Sequence, residues 1–73
     1  MNKEILEKKA EGIVKREATQ TKFTEEHREK ALKKIKEKIE EGEIRRFQDL
    51  KNKTKQVLQK IAEEENIQYY QEQ

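Results

Sequence analysis

Hydrophobic residues recur at helical spacing in three stretches of the chain, and this pattern predicts three amphipathic helices. The first covers about residues 2–17, and its apolar face consists of Ile5, Leu6, Ala10, Ile13 and Val14. The second covers about residues 25–41, and its thin apolar stripe consists of Ala31, Leu32, Ile35 and Ile39. Thr24 precedes this second helix as a suitable N-cap.

The third predicted helix, about residues 44–65, has the most regular pattern. Its apolar positions are spaced 3, 4, 3 and 4 residues apart, as in the a/d repeat of a coiled coil. These positions are Phe47, Leu50, Thr54, Val57 and Ile61. Because Ile44, Leu58 and Ala62 widen the stripe, we expect this helix to pack against more than one neighbour.

Gly42 lies between the second and third helices and permits two interpretations. A glycine readily adopts the positive φ of a helix C-terminus, so it indicates a turn. The alternative is one continuous helix through Gly42, although the apolar stripe shifts by one residue at Phe47, which favours the turn. The sequence therefore predicts an all-α fold and one small domain over residues 1–73. Its architecture is either three packed helices or a helical hairpin with an N-terminal helical arm.

Composition limits the size of the core. Charged residues make up 47% of the 73 residues and hydrophobic residues only 30%, with no Cys and no Pro. Because so little apolar surface is available for burial, a monomer is expected to be marginally stable. We therefore predict self-association, or a partner protein, that covers the apolar stripe of the third helix.

The sequence contains no motif that predicts an enzyme. There is no Gly-rich phosphate loop, no dinucleotide fingerprint and no Ser/His/Asp arrangement. The single histidine, His27, lies among glutamates and is expected at the surface. We predict no catalytic residue, no cofactor, no metal site and no small-molecule substrate. With no long apolar run and no signal pattern, we expect no membrane contact and a cytoplasmic location.

Charge is unevenly distributed along the chain. Residues 44–62 carry six basic residues against Asp49 alone, whereas residues 63–73 carry four glutamates. Arg46, Lys53 and Lys60 are seven residues apart and flank the apolar stripe. They suit pairing with acids on a neighbouring helix, contact with phosphates, or simple solvation of the flank. The run at 63–65 is unfavourable at a helix C-terminus, so these acids either screen a basic neighbour or accompany a frayed turn.

The function that these features favour is that of a small non-enzymatic interaction module, such as a regulator, inhibitor or adaptor. It is expected to act through helix–helix contacts with a second copy or another protein. The predicted contact face consists of Phe47, Leu50, Val57, Leu58 and Ile61, flanked by Arg46, Lys53 and Lys60. In the tail, Ile67, Tyr69 and Tyr70 either fold back on the last turn or dock on a partner.

An alternative function is suggested by the segment from Thr19 through the third helix. A short polar stretch, a capped helix, a glycine and a basic helix 44–62 follow one another, in an order that resembles the ribbon–helix–helix class of dimeric DNA-binding proteins. In that class a two-stranded ribbon enters the major groove. The resemblance implies a strand over residues 19–24, with Thr19, Thr21 and Phe23 facing the core. It implies DNA contacts by Gln20, Lys22, Arg45 and Arg46. Otherwise residues 19–24 are an ordinary connection between helices.

Overall fold

The computed structural model describes residues 2–19 and 22–69, apart from the side chain of Ala18. This part of the chain forms three α-helices and no strand: α1 (Lys3–Thr19), α2 (Glu25–Glu40) and α3 (Phe47–Glu64). Each helix packs against the other two. Of the two predicted architectures, the three-helix arrangement is therefore the observed one, because α1 belongs to the packed bundle and is not a separate arm.

Ion pairs between helix ends define the helix directions. Lys3 Nζ at the start of α1 lies 3.5 Å from Glu40 Oε2 at the end of α2. Lys30 Nζ near the start of α2 lies 3.6 Å from Glu64 Oε2 at the end of α3. Thus α2 runs antiparallel to both neighbours, and α1 and α3 run side by side in the same direction.

α2 begins with a reciprocal capping box. Thr24 Oγ1 accepts a hydrogen bond from the backbone N–H of His27 at 3.3 Å, and His27 Nδ1 accepts one from the backbone N–H of Thr24 at 3.1 Å. These bonds satisfy two backbone donors that helix geometry leaves without a partner. Thr24 is thus the N-cap that the sequence predicts, and His27 occupies the position that Glu or Gln usually takes.

α2 ends in a turn at Gly42, which excludes a continuous helix through this residue. Gly42 has a φ of 84°. Its N–H donates to the carbonyl of Ile39 at 3.2 Å, and the N–H of Glu43 donates to the carbonyl of Lys38 at 3.0 Å. This pair of bonds is the Schellman motif, which requires a left-handed residue and therefore favours glycine.

α3 begins at Phe47, three residues later than the predicted start at residue 44. The carboxylate of Asp49 causes this shift, because its Oδ2 accepts from the N–H of Arg46 at 3.3 Å and of Arg45 at 3.4 Å. Ile44 is therefore not helical, yet it is buried in the core. At the other end, Asn66 adopts a φ of 56° and Ile67 N–H donates to the carbonyl of Ala62 at 2.8 Å.

The core lies along the shared axis of the three helices. Its buried hydrophobic residues are Leu6, Ala10, Ile13, Val14, Phe23, Ala31, Ile35, Ile39, Ile44, Leu50, Val57, Leu58, Ile61, Ala62 and Tyr69. Ile5 was expected on the apolar face of α1 but is 47% exposed. At about 100° per residue, Ile5 lies a quarter turn from Leu6, at the edge of that face. No helix of the described residues is long and apolar enough to cross a membrane.

The tail folds back onto the opposite end of the bundle from Gly42. Tyr69 is buried, and its ring meets the ring of Phe23 edge-to-face at 5.6 Å between centroids. Its hydroxyl donates to Glu17 Oε2 at 3.4 Å. The tail thereby joins the end of α1 to the start of α2, whereas Tyr70 lies outside the described residues.

Candidate functional site

Most of the predicted contact face lies in the core of this chain. Leu50, Leu58, Ile61 and Val57 are all buried against the other helices. A charged replacement at Leu50 would therefore disrupt the core, and by itself it does not test partner binding. Phe47 is the exception in this set, with 39% of its surface exposed.

One residue of the predicted basic flank of α3, Lys60, lies beside α2. Lys60 lines a groove between α2 and α3 together with Val57 and Ile61, and the opposite wall consists of Lys34, Glu37 and Lys38 of α2 and of Glu41, which follows α2. This wall carries both signs of charge, so the pairing of the basic flank with acids on a neighbouring helix stays a prediction. Lys53 is half-buried one heptad before Lys60, and Arg46, one heptad earlier still, is exposed at the N-cap of α3.

The residues predicted to bind DNA are not brought together. Lys22 lies just before α2, and Arg45 and Arg46 follow its end. The 16 residues of α2 separate them by about 24 Å. Thr19 is the last residue of α1, and residues 22–24 form a turn and a cap, so the described part of the segment contains no strand. Gln20 and Thr21 lie outside the described residues.

A different surface carries the exposed apolar side chains. Among the described residues, Ile5 and Phe47 are the large hydrophobic side chains that remain exposed. They lie toward the starts of the two parallel helices, α1 and α3. We call the surface along these two helices the α1–α3 face; it comprises Ile5, Lys9, Gly12 and Arg16 of α1 with Phe47 and Lys51 of α3. The four α1 residues follow spacings of 4, 3 and 4, which places them on one flank of the helix.

Two lysines on this face lie over the Phe47 ring. Lys9 Nζ is 5.1 Å from the ring centroid and Lys51 Nζ is 5.8 Å from it. Both distances are within the range of a cation–π interaction. One lysine comes from each helix, so the ring is held at the junction of α1 and α3 with part of its surface toward solvent.

A second cluster, around His27, joins the start of α2 to the residues that follow α3. The His27 ring meets Phe23 edge-to-face at 6.0 Å, and His27 Nε2 lies 3.6 Å from Glu65 Oε2. The His27 side chain is 17% exposed, so it lies at the surface but is partly covered by these neighbours. Burial raises the pKa of nearby Tyr69 to about 12, helped by the charge of Glu17 and the hydrogen bond to it. These contacts account for His27 structurally.

Metal-ligating groups do not cluster in the described residues, where no three His, Asp or Glu side chains come together in a suitable group. The predictions that the chain is not an enzyme and needs no cofactor stay predictions.

Sequence reasoning missed the α1–α3 face because it assigned Ile5 to the core and ranked Phe47 by its place in the heptad. One signal was present in the sequence. Ile5, Lys9, Gly12 and Arg16 lie on a flank of α1 without an acidic residue, whereas Glu4, Glu7 and Glu11 share another flank at spacings of 3 and 4. The sequence does not show which residues of another helix lie beside this flank, because only the packing of α3 against α1 brings Phe47 there.

Comparison of the chain with protein-family models, with curated proteins and with solved structures finds no match.

Proposed function

We propose that this chain is a small non-enzymatic interaction module that binds another protein through helix–helix contacts. The observation that carries the proposal is the pair of exposed hydrophobic side chains, Ile5 and Phe47, on neighbouring flanks of α1 and α3. The other large apolar residues of α3 are used in the core, so the contact surface in this proposal is the α1–α3 face. Aromatic side chains in such positions frequently anchor protein interfaces.

Site-specific photo-crosslinking tests this function. A benzophenone amino acid replaces Phe47 in the chain expressed in the cells from which the sequence comes, and the matched control carries it at Lys33 on the exposed side of α2. We expect a covalent adduct with one protein from position 47 and none from position 33. The purified adduct partner must then bind the unmodified chain, and F47A must weaken this binding about tenfold. Failure to recover any protein that binds the purified chain contradicts the proposal.

Self-association remains part of the proposal as one form of partner binding. Light scattering on the isolated chain over a range of concentrations tests it. A molar mass that rises above one chain of 8.9 kDa supports a second copy as the partner, and a constant mass requires a different protein.

DNA binding is the second candidate function. The net charge of +5 over residues 44–62 and the exposure of Lys22 and Arg46 favour it. Neutralising Lys22, Arg45 and Arg46 together should lower DNA affinity and flatten its salt dependence, because fewer phosphate contacts release fewer counterions. A mobility-shift assay that shows no binding at low salt removes this candidate.

A further inference from the structure

We infer that the α1–α3 face binds an acidic amphipathic segment of its partner protein, with an aliphatic side chain against the exposed part of Phe47 and carboxylates beside Lys9 and Lys51. This inference rests on the proposed function and specifies the chemistry of the partner.

The three helix junctions differ in how their charges are paired. Ion pairs cross the α1–α2 junction, at Lys3–Glu40 and at Glu11–Lys36. Others cross the α2–α3 junction, where Glu64 and Glu65 meet Lys30 and His27. At the α1–α3 junction, two lysines meet over an aromatic ring instead.

The cations of the α1–α3 face therefore lack carboxylate partners within the described residues. No Asp or Glu there lies within 4.0 Å of Lys9, Arg16 or Lys51. Of the four glutamates of α1, Glu11 pairs with α2, Glu4 and Glu7 share its flank, and Glu17 bonds to Tyr69. A partner that supplies carboxylates complements this surface, and one that supplies cations is repelled by it.

The α1–α3 face also has an exposed apolar part. Ile5 and Phe47 remain 47% and 39% exposed, flanked by lysines whose aliphatic stems extend the apolar surface. Gly12 lies on the same flank of α1, and a Cβ added there would meet nothing within 4 Å. The face is thus open along α1, and a helix laid against it can approach the backbone at Gly12 closely.

The geometry of Phe47 distinguishes a protein partner from a nucleic acid. Stacking of a base needs a free aromatic face. Two ammonium groups already lie over the Phe47 ring, at 5.1 and 5.8 Å from its centroid, so a base would compete with them for the ring. A carboxylate beside either ammonium leaves the cation–π contact intact and adds an ion pair. An acidic protein segment therefore fits both parts of the surface at once.

The experiment uses a designed peptide as the probe. It is an amphipathic helix of about five turns with leucines on one face and glutamates beside them, and the matched control peptide has Gln in place of each Glu. Each is titrated into the full-length chain labelled with ¹⁵N, and amide shifts give both affinity and location. We expect the acidic peptide to bind with shifts clustered on Ile5, Lys9, Phe47 and Lys51, and the Gln peptide to bind at least about tenfold more weakly.

Matched variants separate charge from unfolding. The double variant K9Q/K51Q should raise the Kd for the acidic peptide about tenfold at low salt, and K22Q/K33Q, with the same loss of charge elsewhere, should change it less than about twofold. I5S removes a half-exposed apolar contact with little effect on folding and should weaken binding several-fold. Circular dichroism confirms that each variant remains helical.

Several results overturn the inference. Among them are the absence of binding by the acidic peptide, equal binding by the Gln peptide, shifts located on α2, and displacement of the peptide by single-stranded RNA that shifts the same residues. Shifts on the α1–α3 face that grow with protein concentration alone identify a second copy as the occupant, which also overturns it. If the benzophenone at Phe47 captures a binding protein while the acidic peptide fails, the proposed function stands and only the stated chemistry falls.

Discussion

Thr54 places a hydroxyl inside the hydrophobic core between the three helices. It is fully buried, and its Oγ1 has no hydrogen-bond partner within the described residues. A buried polar group without a partner costs about 1–3 kcal/mol, so a methyl in its place should be better tolerated. We expect T54V to raise the free energy of unfolding by about 1 kcal/mol, measured by urea denaturation.

The matched control for this measurement is T24V at the N-cap of α2. Thr24 Oγ1 accepts a hydrogen bond from the N–H of His27, so its loss should lower stability by about 1 kcal/mol. We therefore expect T54V to increase the free energy of unfolding and T24V to decrease it. A loss of stability in T54V would mean that its hydroxyl does form a bond in solution.

Tyr69 gives the chain a pH dependence in alkali. Burial, and secondarily the charge of Glu17 and the hydrogen bond to it, raise its pKa to about 12. The unfolded chain titrates with the ordinary pKa of about 10. Between about pH 10 and 12 the unfolded state therefore loses a proton that the folded state keeps. The stability that Tyr69 contributes is fully present below pH 10 and is lost as pH rises through 12.

Ultraviolet titration of the phenol measures this pKa directly. The variant Y70F leaves Tyr69 as the only tyrosine, and the chain has no Trp to obscure its absorbance. We expect a midpoint near 12 in the folded chain and near 10 in concentrated urea. A folded-state midpoint near 10 would show that the ring is not held against Glu17.

His27 illustrates what single residues in a sequence do not reveal. Its sequence neighbours are glutamates typical of a first helical turn, which made a surface position the natural prediction. Its partial burial depends on Phe23 and on Glu65, a residue at the far end of α3. Glu65 belongs to the acidic run that the helix dipole disfavours. The packing of α3 against α2 explains the partial burial of His27 and the position of this acidic run, because Glu64 and Glu65 lie beside Lys30 and His27.

At the scale of elements, the two glycines have opposite roles. Gly12 lies inside α1, exposed, and a Cβ there would meet nothing within 4 Å. G12A should therefore stabilise the chain by about 0.5–1 kcal/mol, because alanine loses less backbone entropy in a helix. Gly42 has a φ of 84° in the turn after α2, where an L side chain is strained.

G42A should accordingly destabilise the chain by about 1 kcal/mol or more. Thermal or urea unfolding of G12A and G42A, measured side by side, tests whether the first variant is more stable and the second less stable than the original chain. Equal behaviour of the two variants would mean that the turn at Gly42 does not persist in solution, since that turn is what distinguishes the two positions.

Periodicity predicted the three helices well because each carries its own apolar stripe. It predicted the helix ends less well, because the side chain of a single polar residue can determine where a helix begins. The α3 start moves to Phe47 because the Asp49 carboxylate caps the preceding N–H groups, while Ile44 still reaches the core from the connection. The a/d stripe itself was compatible with packing inside or between chains. Short connections let α1 and α2 cover it, and spacing alone could not decide this.

At the scale of the whole molecule, the α1–α3 face results from the way ion pairs are distributed among the three helices. α2 faces both neighbours with acids and bases, and its ion pairs use charges from α1 and α3. α1 and α3 meet without such pairs in the part of the chain that the structure describes. The site therefore depends on which helices are neighbours, a property of the packed bundle that the pattern of each helix alone does not contain.

The closed core also predicts how folding depends on concentration. The radius of gyration of 11.5 Å is close to the value of about 11 Å for a compact single chain of this length. The buried face of α3 is covered by α1 and α2 of the same chain. We expect the helicity and the urea midpoint to be constant from about 1 to 100 µM protein, because only a coupled assembly makes them vary.

A midpoint that rises with concentration would mean that α3 completes its core with another copy. A constant midpoint together with peptide binding at Lys9 and Lys51 would mean that the chain folds first and offers its partner a preformed surface.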